Sequence, residues 1–223
     1  MDSYELRLVE DELAAGTIAA IPALEGFRVT YIAAGSATLG LDGGGEEFRE
    51  QNSAVFAAVA ATATAGGDGA TLWRWEMVRD PGDTWEAGGD VVHSVCKASH
   101  PLNIDESEEH MMRCDRVDFP LDGIAYTHIH SGPGLRCLLR GELMVRVDDG
   151  EESIVRPGET WYERGPDPIY AQASGTKLTS FVRAMVVPRT FKGRTTITYV
   201  KPEDTDKPKP QEYTRFVDQF IDP

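Results

Sequence analysis

The chain has 223 residues, a hydrophobic share of 41% and a formal net charge of −15. That length and apolar content suit one large or two small packed domains. The acidic surplus argues against nucleic-acid phosphates and anionic membrane surfaces as partners, since both need clustered Lys and Arg.

Three cysteines, Cys96, Cys114 and Cys137, form no C-x-x-C pair and leave an odd one. This is the pattern of free thiols in a reducing compartment. Residues 1–12 are acidic and lack a basic stretch followed by an apolar one, so no signal peptide is expected and a cytoplasmic location is. The longest small-apolar run, 54–65, is broken by Thr and falls short of the ~18 residues of a spanning helix.

In chain order, Tyr4, Leu6 and Leu8 alternate, and an Ala-rich stretch leads to Pro22. Strand-like segments follow at 27–33, 36–41, from Phe48 onward, at 54–63 and at 71–78. Turn clusters at 42–45 and 66–69 separate them, with glycines that can supply positive φ. Many short strands at roughly ten-residue spacing predict an all-β sandwich or barrel. Residues 80–104 are richer in Asp, Pro and Gly and read as the connection between two halves. The stretch 105–116 (DESEEHMMRCDR) reads as a helix with charges in its first turn, or as a polar loop.

The second half repeats the first. A slide of 106 residues sets Gly141 on Gly35, the Asp149-Gly150 turn on Gly43-Gly44, and 135–139 on 29–33. The late strands 71–78 and 179–187 correspond less strictly, and duplication of an all-β unit is the simplest account. The expected organisation is a first unit over 1–85, a connection over 86–104, a second unit over 105–200 and a tail over 201–223. The end of the tail carries Phe216, Val217, Phe220 and Ile221, enough to dock on a barrel or on a second subunit.

Chemistry concentrates in His128-Ile129-His130, which holds two of the five histidines in a β-prone run. Two residues apart on a strand, both imidazoles face one side, about 7 Å apart along the chain and able to converge on one ion.

Here the chain resembles the cupin superfamily, and the duplicated pattern resembles a bicupin. The first cupin motif runs glycine, His-x-His, three or four residues, glutamate, six residues, glycine. In this chain Gly123 precedes His128-x-His130, Gly134 stands where the glutamate belongs, and Gly141 follows six residues on. The second motif, Pro-x-Gly followed by a histidine, has Pro157 and Gly158. Its histidine position falls on Ile169, or on Tyr170 if one residue is inserted. In the first half, Pro22 and Leu24 occupy the places of the two histidines.

The resemblance implies an all-β fold of two tandem cupin-type jelly-roll barrels, a homodimer, and a small-molecule ligand inside the second barrel. It implies a divalent metal (Fe, Mn, Ni or Zn) on His128 and His130, with the missing acidic ligand supplied by Glu163 or, next in order, by Asp167. Survival of the histidine pair from a metal-binding ancestor is the alternative. Tyr126, two residues before His128, is expected on the same inward face, and Arg136, two residues after Gly134, also points inward. An inward Arg either pairs with a carboxylate such as Glu163 or meets an anionic substrate. Arg183 raises the same question, and Tyr170 completes the candidate substrate-binding set. Trp73, Trp75 and Trp161 read as barrel-wall packing.

Three functions stay open at this level. One is a metal-dependent enzyme acting on a small anionic metabolite. The others are a metal-free small-molecule binder and a largely structural degenerate bicupin.

Overall fold

The structure is a computed structural model and describes residues 4–80, 82, 84–89, 92–105, 107–147 and 150–223. Of the turn positions read from the sequence, Pro81, Asp83, Asp90, Asp148 and Asp149 lie outside the described residues. The chain divides into unit 1, Met1–Asp105, and unit 2, Glu106–Asp222.

Unit 1 contains β1 (Tyr4–Leu13), β2 (Ile18–Ile21), β3 (Gly26–Leu41), β4 (Glu46–Glu50), β5 (Ala54–Phe56), β6 (Ala61–Val78), β7 (Gly88–Gly89) and β8 (Val92–Leu102). Unit 2 contains β9 (His110–Phe119), β10 (Ile124–His130), β11 (Gly134–Arg140), β12 (Leu143–Val147), β13 (Glu152–Val155), β14 (Thr160–Glu163), β15 (Ile169–Ala173), β16 (Thr179–Pro188), β17 (Ile197–Tyr199) and β18 (Glu212–Ile221).

Unit 2 is built from two five-stranded antiparallel sheets, β14-β11-β16-β9-β18 and β13-β12-β15-β10-β17. Residues that alternate inward from both sheets, among them Val117, Leu138, Leu143, Val145, Ile169 and Phe181, fill one apolar core.

Unit 1 has the same pairings with fewer breaks. Its main path is β4-β3-β6-β1-β8, with β5 on β3, β2 on β6 and β7 on β2. The long strand β3 serves as β11 and β12 joined, and β6 as β15 and β16 joined, so the pairings form one hydrogen-bonded network. The turn between β11 and β12 sits at Gly141, φ +83°, and β3 bends at Gly35, φ +69°. At both positions an added Cβ would lie under 3 Å from backbone, Gly69 O in one unit and Leu178 O in the other.

The slide of 106 residues holds beyond the identities that suggested it. It sets β9 on β1, the start of β10 on β2, β13 on β4 and β14 on β5.

Two stretches differ from the sequence reading, and a third, the end of the tail, follows one of its two alternatives. The predicted helix or polar loop at 105–116 is largely β9, which lies between β16 and β18 and buries Met111, Met112 and Cys114. Ladder partners on both sides override a charged, helix-like sequence. Within the expected connection, β8 pairs along the whole of β1, from Tyr4↔Leu102 to Leu13↔Val92. Within the expected tail, β18 pairs along β9, so its apolar residues extend a sheet of unit 2.

Candidate functional site

The site grows from β10, which runs between β15 and β17 and turns His128 and His130 into the core of unit 2 at 6% and 5% exposure. Their tautomers follow from their partners. His128 Nδ1 lies 2.7 Å from the Tyr126 carbonyl, which only accepts, so Nδ1 carries the proton and Nε2 offers its lone pair. His130 Nε2, 3.2 Å from that lone pair, is therefore the donor. His130 Nδ1 then accepts from the Thr196 hydroxyl at 3.3 Å. Burial pushes the His128 imidazole below its ordinary pKa. Burial together with the charges of Arg183 and Arg136 pushes His130 well below it. Both rings are neutral at neutral pH.

Glu163 ends β14 directly opposite Gly134 on β11. Its Oε1 accepts from Trp161 Nε1 at 2.8 Å. Its Oε2 stands 3.4 Å from His130 Nε2 and 2.5 Å from Arg136 Nη2. The contact with Arg136 is close but poorly aligned. Glu163 Oε2, Arg136 Nη2 and Arg136 Nε have no hydrogen-bond partner among the described residues. Arg136 is fully buried, and its Nη1 donates to the Gly134 carbonyl at 2.5 Å. Burial lowers its pKa to about 10, which still leaves it cationic at neutral pH.

Gly134 explains how that guanidinium fits. A Cβ there would lie 2.7 Å from Met185 Cγ, 2.8 Å from Ala184 O and 3.0 Å from Arg136 Nη1. A larger side chain there would have to displace its neighbours, and the Arg136 guanidinium occupies the adjoining space.

On β16, Arg183 faces Asp115 of β9 in register and grips it through Nε–Oδ1 at 2.6 Å and Nη2–Oδ2 at 3.2 Å. Burial works against the Arg183 charge, but the adjoining Asp115 carboxylate outweighs it and lifts the guanidinium above its ordinary pKa. His128, His130, Glu163 and Arg183 line a small cavity of about 30 Å³, otherwise walled mainly by apolar side chains of the core. That volume suits a single water-sized occupant. Arg183, Ile197 and Tyr213 also line a larger cleft of about 410 Å³.

The divalent metal implied by the resemblance does not fit this donor set. The two Nε2 atoms are close enough to converge on one ion, yet the lone pair of His128 is taken by His130. The third expected ligand, Glu163, turns its remaining oxygen to a guanidinium. Two buried arginines stand beside the position a dication would take. Among the described residues, no group of three or more His, Cys, Asp or Glu is arranged to hold a metal.

The structure brings His128, His130, Glu163, Arg136 and Arg183 together, and it separates the two tyrosines from them. A register shift between Ala125 and His128 packs Ala125 against the core and leaves Tyr126 with its ring under Lys207 Nζ at 4.5 Å. The expected inward face of Tyr126 is lost to that irregularity in β10. Ile169 and Ala171 line the cavity, so Tyr170 between them faces the other way, its ring against Arg146 at 5.0 Å. Ile169 pairs with His128 across the ladder of β10 and β15. Arg136 stands behind Glu163 without lining the cavity. Asp167 instead pairs with Arg164 at 2.5 Å. Trp161 meets Phe181 edge-on at 5.0 Å.

Sequence reasoning missed Asp115, Thr196 and Tyr213. Reading 110–119 as a strand would have placed Asp115 on the inward face with Val117 and Phe119. No local signal marks the other two.

No family model matches this chain, and no curated relative matches it. Solved structures do. The *Lactobacillus farciminis* oxalate decarboxylase in its formate complex is 12% identical, over 91% of this chain and 82% of that one, with a TM-score of 0.63. An 11S globulin from *Wrightia tinctoria*, described with an auxin binding site, is 8% identical over 82% and 76%, with a TM-score of 0.61. Procruciferin, the 11S globulin of *Brassica napus*, is 8% identical over 88% and 89%, with a TM-score of 0.56. These are cupin proteins, and the likeness is one of fold: all-β, with two tandem cupin-type jelly-roll units. A fold shared by a decarboxylase and storage globulins leaves function to be argued from the site.

Proposed function

We propose that this chain is a degenerate bicupin whose second unit binds a small anionic metabolite without a resident metal. The observation that carries this reading is the replacement of charge at the centre. Gly134 vacates the glutamate position, the Arg136 guanidinium fills the space, and Glu163 becomes its counter-ion. A dication is disfavoured beside Arg136 and Arg183, and an anion is favoured there. Arg183, already oriented by Asp115, is the cation that borders both the small cavity and the larger cleft. It is the residue through which the interior meets a ligand.

A metal-dependent enzyme acting on a similar anion is the second reading, favoured by the 3.2 Å approach of the two Nε2 atoms. It requires His130 to exchange tautomers so that Nδ1–H donates to Thr196, and Glu163 to leave Arg136.

Elemental analysis separates the two. Purified protein is incubated with Fe(II), Mn(II), Ni(II) and Zn(II) in turn, desalted and analysed beside the variant His128→Ala, His130→Ala. The metal-free reading expects substoichiometric metal in both proteins. One equivalent of any of these metals in the wild type, lost in the double variant, overturns it in favour of the second.

A further inference from the structure

The chain carries a net charge of −15, yet the 410 Å³ cleft of unit 2 is lined by Arg113, Arg183, Arg194, Lys209 and Arg215 against one carboxylate, Asp115. Such a concentration of one sign on an oppositely charged chain is a local field, and the Debye length of about 8 Å at physiological salt lets it act apart from the distant acidic surface. These cations come from β9, β16, β18, the loop before β17 and the segment before β18.

The cleft is also built rather than incidental. Arg113 is held by Asp218, with Nε–Oδ1 at 3.0 Å and Nη2–Oδ2 at 3.3 Å, and by the carbonyls of Phe191 and Arg194. Arg183 is held by Asp115 and packs over the Tyr213 ring at 5.8 Å. Lys209 lies over the Tyr199 ring at 4.9 Å and donates to the Thr205 carbonyl at 2.5 Å. The aromatic face and the carbonyl fix Lys209 without neutralising it. Asp218 is shared with Arg215 at 3.6 Å, and Arg194 has no ion pair among the described residues. The inner wall is thus compensated by carboxylates, while the rim keeps unbalanced positive charge.

We infer that this cleft is the docking site for a small polyanion, a molecule with two or more carboxylate or phosphate groups that spans Arg183 and the rim cations Arg194 and Lys209. The inference rests on the anion-binding reading of unit 2 and narrows its ligand class. A single carboxylate can engage one or two guanidiniums and leaves the others unmatched. The volume is that of a small-molecule site.

The test is titration calorimetry with three probes, citrate, inorganic pyrophosphate and acetate, on the wild type, on R194Q/K209Q and on the control R146Q. Arg146 pairs with Glu152 away from the cleft. Saturable binding of citrate or pyrophosphate, absent with acetate, is expected in the wild type and in R146Q. Binding in R194Q/K209Q should be weaker by about tenfold or more, through loss of charge-assisted hydrogen bonds. Citrate alone binding assigns the carboxylate class, and pyrophosphate alone assigns phosphate. No binding of either, or equal binding by R194Q/K209Q with unchanged circular dichroism, overturns the inference. Its failure is distinct from that of the metal-free reading. Polyanion binding lost in R194Q/K209Q alongside stoichiometric metal keeps the cleft and removes the metal-free centre, and absence of both metal and binding does the reverse.

Discussion

Arg74 in unit 1 and Arg183 in unit 2 occupy the same place in the two sheets, and their surroundings set the units apart. Arg74 faces Thr30 across β3, and Arg183 faces Arg136 across β11; Thr30 and Arg136 are 106 residues apart and the two arginines 109, so ladder register makes them equivalent. In unit 1 the arginine is sealed. It grips Asp11 through Nε at 2.6 Å, contacts Glu76 through Nη1, and donates to the Trp85 carbonyl at 2.6 Å. Glu76 also receives Arg7 Nε at 2.9 Å and Arg28 Nε at 2.8 Å. Burial opposes the Glu76 charge, but Arg74, Arg28 and Arg7 together hold its carboxyl below the usual range. Pro22, at the place of the first histidine, accepts from Arg28 Nη2 at 2.7 Å.

Unit 2 has broken this network. Met185 stands where Glu76 would be, Gly134 where Arg28 would be, and the retained arginine borders a cleft. Buried ions are tolerated when their partners are inside the fold. Unit 1 gathers those partners around one shared carboxylate, and unit 2 pairs its arginines separately, Arg183 with Asp115 and Arg136 with Glu163, with Arg183 bordering a cleft.

The largest expected effect tests the sealed side. Glu76→Gln removes the shared counter-ion of three buried guanidiniums, and should lower the stability of unit 1 by ~3–5 kcal/mol in chemical denaturation. Glu163→Gln, with a single guanidinium partner in poor alignment, should cost less, about 3 kcal/mol or below. A larger loss from Glu163→Gln than from Glu76→Gln would reverse the contrast between the two interiors.

The duplicated bend is tested next. Gly35→Ala and Gly141→Ala each force a Cβ against backbone at positive φ, and each should destabilise its own unit by ~1–3 kcal/mol. If only one of them matters, the two bends are not equivalent.

The smallest effect is in pH. His128 and His130 have folded-state pKa values depressed by burial, so the unfolded chain binds protons more readily than the folded one. Stability of unit 2 should therefore be complete above about pH 6.5 and fall as the pH drops below it. His100 in unit 1, lowered by burial at a more open position, should add a shallower slope of the same sign. Denaturation midpoints from pH 7.5 to 5, with and without H128N/H130N, measure the difference. An unchanged slope in that variant would remove the histidine contribution.

Much of the fold was legible because strand alternation and glycine turns are local properties. Leu143 and Val145 face inward as their spacing says, and Gly35 and Gly141 mark equivalent bends. The site was legible where a regular strand carried it: His128 and His130 share a buried face, and Glu163 arrives beside Arg136. It failed where regularity failed. The shift in β10 turned Tyr126 outward, and the order of inward and outward residues along β15 did the same for Tyr170.

By itself, then, the amino-acid order determined an all-β duplicated chain, the inward histidine pair and the glycine at position 134. Only the tertiary structure decided which side chain stands beside that glycine and where the cations of unit 2 gather. Arg136 reaches the vacant space because β11, β14 and β16 run side by side. The basic cleft gathers residues from 113 to 215 that no local window holds together. Charge compensation depends on which strands become neighbours, and the spacing of residues along one strand carries no record of it.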